Sequence, residues 1–431
     1  MQSDKKVVQE RRFSDQVHEY RVGQVSLYTL HMPVEEVVTC KGSFYSFPHF
    51  SKGEELLQEL TVALLDKGTQ KRDKFAIAEW LESRGAEITF HSDGLRISFV
   101  CKALRKDISG VISLLAEQLR EPRFDPREFE LAQAHLAAGI QRTMESTALQ
   151  ASGALSRRLY PPDHPNYVEE PQQAMERLMR YTVEDVKAYH AAHFGANACI
   201  IVGVGDIDDL ELKQALNASF KDWQPHNSTP DFAEQAVYRA PGRTEIPMPD
   251  RVNVDVRMGH GLPLRRTDPD FMPLYLGNYI LGGNFSARLM TVVRDEMGLT
   301  YGIGSSLVGI TPEYEGHWQI GVTLSQDVLE QGIQATLGVV NQFVQEGATE
   351  AELIDKKTSI IGSFKVGLAT TGGVASALLL ALERGFGVEY LDHYPEEVAA
   401  VTLTQVNQAI QQYLHPDALH VAIAGLPVKE G

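Results

Sequence analysis

The feature that most limits how this chain can fold is that it repeats itself once, at an offset of about 220 residues. Tyr181, Thr182, Val183, Val186, Tyr189 and Phe194 stand 220 positions before Val401, Thr402, Leu403, Val406, Ala409 and Leu414. Ile201 and Gly205 precede Val421 and Gly425 by the same offset, as Asp107 precedes Asp327, while Glu130 and Leu131 fall 222 before Glu352 and Leu353. Loop insertions produce a drift of this size. A unit this long is a duplicated domain rather than a solenoid repeat, whose period is roughly 20–50 residues. A chain of 431 residues is also too long for a single core.

Each unit runs as a strand pair, helices, a hairpin and helices again. In the first, Val22 to Thr39 alternates through Val25, Leu27 and Leu30, and a second apolar strand runs through Val37 to Phe47. Leu56, Leu57, Leu60, Val62 and Leu64 recur at helical spacing, and a second helix over Phe75 to Ser83 stops at Gly85, a suitable C-cap. Glu87 to His91 and Leu95 to Cys101 alternate as a hairpin, and Asp107 to Leu119 and Pro126 to Ile140 return to helix. Hairpins and surface helices in this order make the class α+β, with two homologous sheet-and-helix domains arising from duplication. Residues 1–22 read as a polar lead-in, 23–225 as the N-terminal domain, 226–248 as the linker and 249–431 as the C-terminal domain. The linker lies in the polar, Pro-containing stretch from Asp222 to Pro249.

A net charge of −17 excludes a nucleic-acid backbone as the expected partner, because phosphate binding needs clustered Lys and Arg. Cys40, Cys101 and Cys199 are odd in number, far apart and set in apolar surroundings, as small core residues are. The longest apolar run, Ala375 to Leu382, is far too short to span a bilayer. The opening MQSDKKVVQERRFSDQ has no apolar signal region, so the chain reads as cytoplasmic, or as periplasmic if a signal was trimmed before this numbering.

Neither HExxH nor HxxEH occurs, so no helix presents the imidazole pair and carboxylate that a zinc peptidase needs. His190 and His193 share a helix face without a neighbouring carboxylate, apart from Asp185 near the start, and read as ordinary packing histidines. Gly203 and Gly205 imitate a dinucleotide loop but lack its third glycine and helix, so they read as a strand stop. GIGSS at Gly302 to Ser306 is not a serine-hydrolase elbow, and the basic pair Arg265, Arg266 is isolated. The remaining stretch is Leu281 to Tyr301, where a Gly pair precedes a helix expected from about Ser286. Arg294 and Tyr301 frame its far end. A guanidinium and a phenol could together hold a peptide carbonyl or its developing oxyanion. The plain alternative is a helix-end ion pair, with Arg294 beside Asp295 and Glu296, and a strand-starting Tyr.

The run NYILGGNFSARLMTVVRDEMGLTYGIGSS, preceded by Gly259, His260 and Asp268 to Asp270, resembles the second domain of the pitrilysin/insulinase family of inverted zincins. That family includes the mitochondrial processing peptidases. LLDKGTQKRD, FAIAEWLESRGAEITFHSD and YHAAHFGANACIIVGVGDID resemble its first domain, and the likeness runs from about residue 22 to 427. It implies that the two domains form half of a clam-like chamber. The positions of the family's HxxEH motif fall on Glu59, Val62 and Ala63, and that of its later Glu ligand near Gly139. Val and Ala cannot bind a cation or move a proton. The resemblance therefore implies no metal or other cofactor in this chain and no activity by it alone.

Arg294 and Tyr301 match the family's Arg and Tyr, which face the zinc from the other domain and hold the scissile peptide. The resemblance thus implies a non-zinc subunit that lends them to a homologous, HxxEH-bearing partner holding zinc. Gly283, Asn284, Phe285 and Ser286 would lie along the channel of an unfolded peptide substrate. The other readings are a structural or peptide-binding core-type subunit of a larger complex, and a homodimer in isolation.

Overall fold

The computed structural model describes residues 12–46, 54–226 and 241–426. Residues 1–11 of the lead-in, 227–240 of the linker, and Phe47 at the end of the second expected strand lie outside the described residues. The first half comprises strands β1 (Val17–Val22), β2 (Val25–His31) and β3 (Val37–Tyr45), helices α1 (Glu54–Leu64) and α2 (Lys74–Glu82), and the hairpin β4 (Glu87–Ser92) and β5 (Arg96–Leu104). Helices α3 (Ile108–Arg120), α4 (Pro126–Glu145), α5 (Thr147–Leu159), α6 (Pro171–Leu178) and α7 (Val183–His193) come next, then β6 (Ile200–Gly205) and α8 (Asp209–Phe220). The second half opens with β7 (Gly242–Pro247), β8 (Asn253–Leu262), α9 (Phe271–Gly282) and a π-helix (Met290–Glu296). It continues with β9 (Gly302–Val308), β10 (Gly316–Ser325), α10 (Leu329–Glu346), α11 (Glu350–Gly367) and α12 (Thr371–Glu383), and closes with α13 (Tyr390–Ala400), α14 (Leu403–Tyr413) and β11 (His420–Leu426).

From β2 to β6 and from β7 to β11 the elements match one for one, with the π-helix in the place of α2. The sheets agree strand by strand: β2-β6-β3-β5-β4 in the first, after the extra edge strand β1, and β7-β11-β8-β10-β9 in the second. In both, the first and last strands of the unit pair in parallel and the other pairs are antiparallel. The chain is a duplicated α+β domain. The repeat extends to the helix caps: Thr182 and Asp185 form a capping box on α7, as Thr402 and Gln405 do on α14. Strands β6 and β11 both end at glycines in the left-handed region, Gly205 at φ 137° and Gly425 at φ 108°, so the GxG of the first is the strand stop its spacing suggested.

Two elements fall where the sequence suggests none. Strand β1 lies within the stretch read as lead-in, and β7 lies within the stretch read as linker, where it pairs with β11 as the edge of the second sheet. Both are short polar edge strands, which alternation alone distinguishes poorly from loop. The three cysteines are buried and free, as core residues are. Among the described residues no single helix is long and apolar enough to cross a membrane; α11 and α12 pass such a test only as a pair bent by 113°.

The halves exchange helices. One face of β3 carries Thr39, Lys41 and Ser43, and α12 of the second half covers it. Thr39 Oγ1 lies 2.9 Å from Thr371 Oγ1, Lys41 Nζ donates to Ser376 Oγ at 2.5 Å, and Ser43 donates to Glu383. Val374, Ala375 and Leu378 pack there with Leu30, Val202 and Val204. In return, α5 of the first half covers β8. Thr147 Oγ1 donates to Asp255 Oδ2 at 2.6 Å and Arg257 Nε donates to Ser152 Oγ at 3.2 Å, while Leu155 and Leu159 pack on Ala422 of β11. In the tight turn that leads from α11 into α12, a Cβ on Gly373 would stand 1.8 Å from the carbonyl oxygen of Gly367. Gly373→Ala should cost about 1–3 kcal/mol through overpacking, seen as a lower urea midpoint at unchanged slope.

The chain after α5 is stitched to the second sheet by buried rings. Tyr160 Oη lies 2.6 Å from His317 Nδ1, and His164 stacks on Tyr160 at 4.4 Å between centroids. Burial lowers both His164 and His317 to about 4, so the folded state holds them neutral. The unfolded chain protonates these rings near pH 6.5, so it takes up protons that the fold refuses as pH falls. Stability is therefore full above about pH 6.5 and declines toward pH 4.5, before most carboxylates titrate. Urea unfolding across that window should show the decline, and His164→Asn should flatten it. A midpoint independent of pH would overturn this account.

Candidate functional site

Helix α1 buries Leu56, Leu60 and Leu64 against Phe124, Phe129, Leu178 and Val186, which turns its other face toward a groove of about 790 Å³ between α1, α4 and β4. Glu59, Val62 and Ala63 line one wall of this groove, with Phe90 and His91 of β4 and Ala132 and His135 of α4 around it. The three positions that the resemblance assigns to a metal motif are thus together. Gly139 is not among the lining residues and stands one turn beyond His135 on α4. Partial burial in the groove, and then the neighbouring Glu55, raise the Glu59 carboxyl above its ordinary value. Val62 and Ala63 offer no donor atom. Among the described residues no group of three or more His, Cys, Asp or Glu side chains is placed to hold a metal, so the residues present do not fit zinc.

The second candidate site comes after α9. Gly283 is packed so closely that a Cβ would stand 2.7 Å from Tyr279 Cα. Beyond it Asn284 Oδ1 accepts from Ser286 N at 3.0 Å and from Ser286 Oγ at 2.9 Å, which closes the loop on itself. Lys356 of α11, only 6% exposed, reaches into this loop, and its Nζ donates to Asn284 Oδ1 at 3.1 Å, Ser286 O at 3.0 Å and Ser286 Oγ at 2.6 Å. Arg288 fixes the next turn through Glu352, with Nε–Oε1 at 2.6 Å and Nη2–Oε2 at 2.7 Å. Burial opposes ionisation of Glu352, but Arg288 and the Thr349 cap outweigh it and hold the carboxyl down at about 2.

The expected helix from Ser286 begins later and is wound differently. Met290 to Glu296 is π-helical, with Met290 and Val293 in the core and Arg294 directed outward. A π-turn re-aims side chains relative to an α-helix and often occurs at functional sites. Arg294 lies over the Phe285 ring at 5.9 Å and 3.5 Å from Asp295 Oδ1, a loose contact for an ion pair. Gly298 at φ 65° ends the turn, and Thr300 Oγ1 donates to Thr323 O at 2.5 Å, which anchors the backbone beside Tyr301. The Tyr301 side chain is 96% exposed and has no hydrogen-bond partner among the described residues. Phe285 is exposed as well, at 78%. The backbone here is fixed while Arg294, Tyr301 and Phe285 are presented to solvent.

His190 and His193, weighed as ligands, serve packing. His190 Nε2 lies 2.9 Å from Leu119 O and its ring stands against Phe124, while the His193 ring tilts against Tyr189. Sequence reasoning missed Lys356 and the Arg288–Glu352 pair. Their partners are 64 or more residues away, and no local pattern announces them.

Two family models match the chain: "Insulinase (Peptidase family M16)" over residues 60–160 and "Peptidase M16 inactive domain" over 180–360. The chain belongs to the insulinase family. The non-peptidase homolog YmxG of Helicobacter pylori is 20% identical over 384 residues, covering 87% of this chain and 85% of that one. The crystal structure of a peptidase M16 inactive domain from Pseudomonas fluorescens superposes with a TM-score of 0.85 at 22% identity, over 96% of this chain and 99% of that one. The periplasmic protease PqqL from Escherichia coli matches 97% of this chain at a TM-score of 0.79 and 12% identity, but only 46% of its own length is covered. The fold is thus that of the insulinase family, with the two-domain architecture of half a clam-like chamber.

Proposed function

We propose that this chain is the non-zinc subunit of a two-subunit peptidase, inactive alone, which completes the active site of a homologous HxxEH-bearing partner. The observation that carries this reading is the contrast between the two candidate sites. The first-half groove has the wall positions of a metal motif without either imidazole, while the second half holds Arg294 and Tyr301 on a braced backbone, the Tyr301 hydroxyl unpaired among the described residues and Arg294 in only a loose contact with Asp295. A fully exposed tyrosine adds little to folding, and its use lies outside its own chain.

The partner supplies the metal and the attacking water. This chain's share is electrostatic. Arg294 and Tyr301 donate to the carbonyl oxygen of the scissile peptide, most strongly as negative charge develops on it. The loop Gly283, Asn284, Phe285 and Ser286 borders the unfolded peptide, with Phe285 as an apolar contact and Lys356 keeping the loop in place. The match to less than half of PqqL supports a second half being needed for a closed chamber.

Affinity capture of the full chain from its native extract, with partners identified by mass spectrometry, tests the reading. A partner of similar length carrying HxxEH, whose peptidase activity rises on adding this chain, is the expected result. Recovery of a large assembly without such a partner would favour the structural-subunit reading, and recovery of the chain alone would favour a homodimer.

A further inference from the structure

A second cavity, of about 580 Å³, is lined wholly by the second half, between α9, β9 and the helices α11 to α13, and is within the size range of small-ligand sites. Tyr275 and Tyr394 reach it from the core of the second sheet, and Tyr390 reaches it from the cluster in which α12 covers the first sheet. Its lining is mainly aromatic, but two arginines enter it. Arg266, half of the pair that looks isolated in the sequence, lies 4.0 Å over the Phe271 ring and donates from Nη2 to Tyr390 Oη at 2.9 Å. The guanidinium of Arg384, just past the end of α12, has no hydrogen bond or ion pair with any described residue. Burial and the nearby Arg266 lower its pKa. A partly buried cation without a direct ion-pair partner carries a desolvation cost that the surrounding groups offset only in part.

The carboxylates closest to Arg384 are already engaged: Glu383 accepts from Ser43, and Glu313 accepts from Tyr45 Oη at 3.4 Å. They offset part of the positive charge, so the surplus suits a monoanion better than a phosphate dianion. We propose that this cavity binds a carboxylate carried on an aromatic or aliphatic body, with Arg384 as its ion-pair partner and the tyrosine rings around its apolar part. A free carboxylic acid and the C-terminal residue of a peptide share this chemistry. The cavity adjoins Gly283 at the start of the proposed substrate loop, but Arg294 and Tyr301 do not line it and its binding is read in this chain alone, without a peptidase partner.

The test is calorimetric titration of the full chain with N-acetylphenylalanine, its amide, a tetrapeptide ending in Phe with a free or amidated terminus, and phenyl phosphate. The acid should bind saturably, and the amide about tenfold or more weakly. Arg384→Gln should remove the preference for acid over amide and Arg384→Lys should keep part of it, with both variants melting like the parent. Binding of the capped amino acid alone identifies a free acid as the ligand, and equal binding of the free-terminus tetrapeptide identifies a peptide end. Absence of saturable acid binding, equal binding of acid and amide, or an unaltered Arg384→Gln variant would overturn the proposal. Tighter binding of phenyl phosphate would overturn the carboxylate assignment.

Discussion

In the proposed two-subunit peptidase, Tyr301→Phe and Arg294→Ala should each lower kcat by about a hundred- to a thousandfold, the usual consequence of removing one oxyanion donor. Neither change should disturb the fold. Tyr301 is almost wholly exposed, and its ring survives in the Phe variant, so only the hydroxyl is lost. The contact of Arg294 with Asp295, at 3.5 Å on the surface, contributes at most about 1 kcal/mol. The measurement is steady-state turnover of the reconstituted pair, with thermal melting of the isolated chain and gel filtration of the complex as controls. Full turnover in both variants would end the clamp role. A fall in turnover matched by a fall in melting temperature or in association would show a structural role instead.

The second large effect is a gain. Glu59→His, Val62→Glu, Ala63→His and Gly139→Glu together should give a chain that binds about one zinc ion, because two imidazoles and a carboxylate then converge where Glu59 is now the one side chain of the four with a donor atom. Glu59, Val62 and Ala63 already share one wall of the groove, so the first three changes place their side chains together. Gly139 has room for a longer side chain, since an added Cβ meets only the Arg142 guanidinium, at 3.8 Å. Metal analysis after dialysis reads the result, and zinc should raise the melting temperature of the variant but not of the parent. A folded variant that takes up no zinc would show that α4 presents the third ligand from another position, with His135→Glu in place of Gly139→Glu as the first to try.

Much of the architecture was legible because the repeat is written into local signals. The Thr182 and Thr402 capping boxes and the terminal glycines of β6 and β11 keep the 220-residue offset, and each depends only on near neighbours. Which sheet a helix covers is not a local property. The pattern of α12 is that of any buried helix, and nothing in it says that its partner is Thr39 or Leu30, more than 300 residues away. The same limit applies to the sites. Arg294 and Tyr301 stand out by chemistry and resemblance, but the π-winding that turns Arg294 outward depends on how Met290 and Val293 seat in the core. Lys356 is one of a Lys pair on an ordinary-looking helix and Arg384 caps another, and only tertiary packing brings them to a loop or a cavity.

The crossing of α5 and α12 bears on how such a chain could arise. Each half leaves one sheet face uncovered unless the other half contributes a helix, so a protein encoding a single half would be complete only as a pair of identical copies that traded helices. Gene fusion would then have joined an interleaved dimer without rebuilding its interface. Such an inheritance would leave each half free to change on its own, and the two now differ: Val62 and Ala63 carry no metal donor in one, while Arg294 and Tyr301 are displayed in the other.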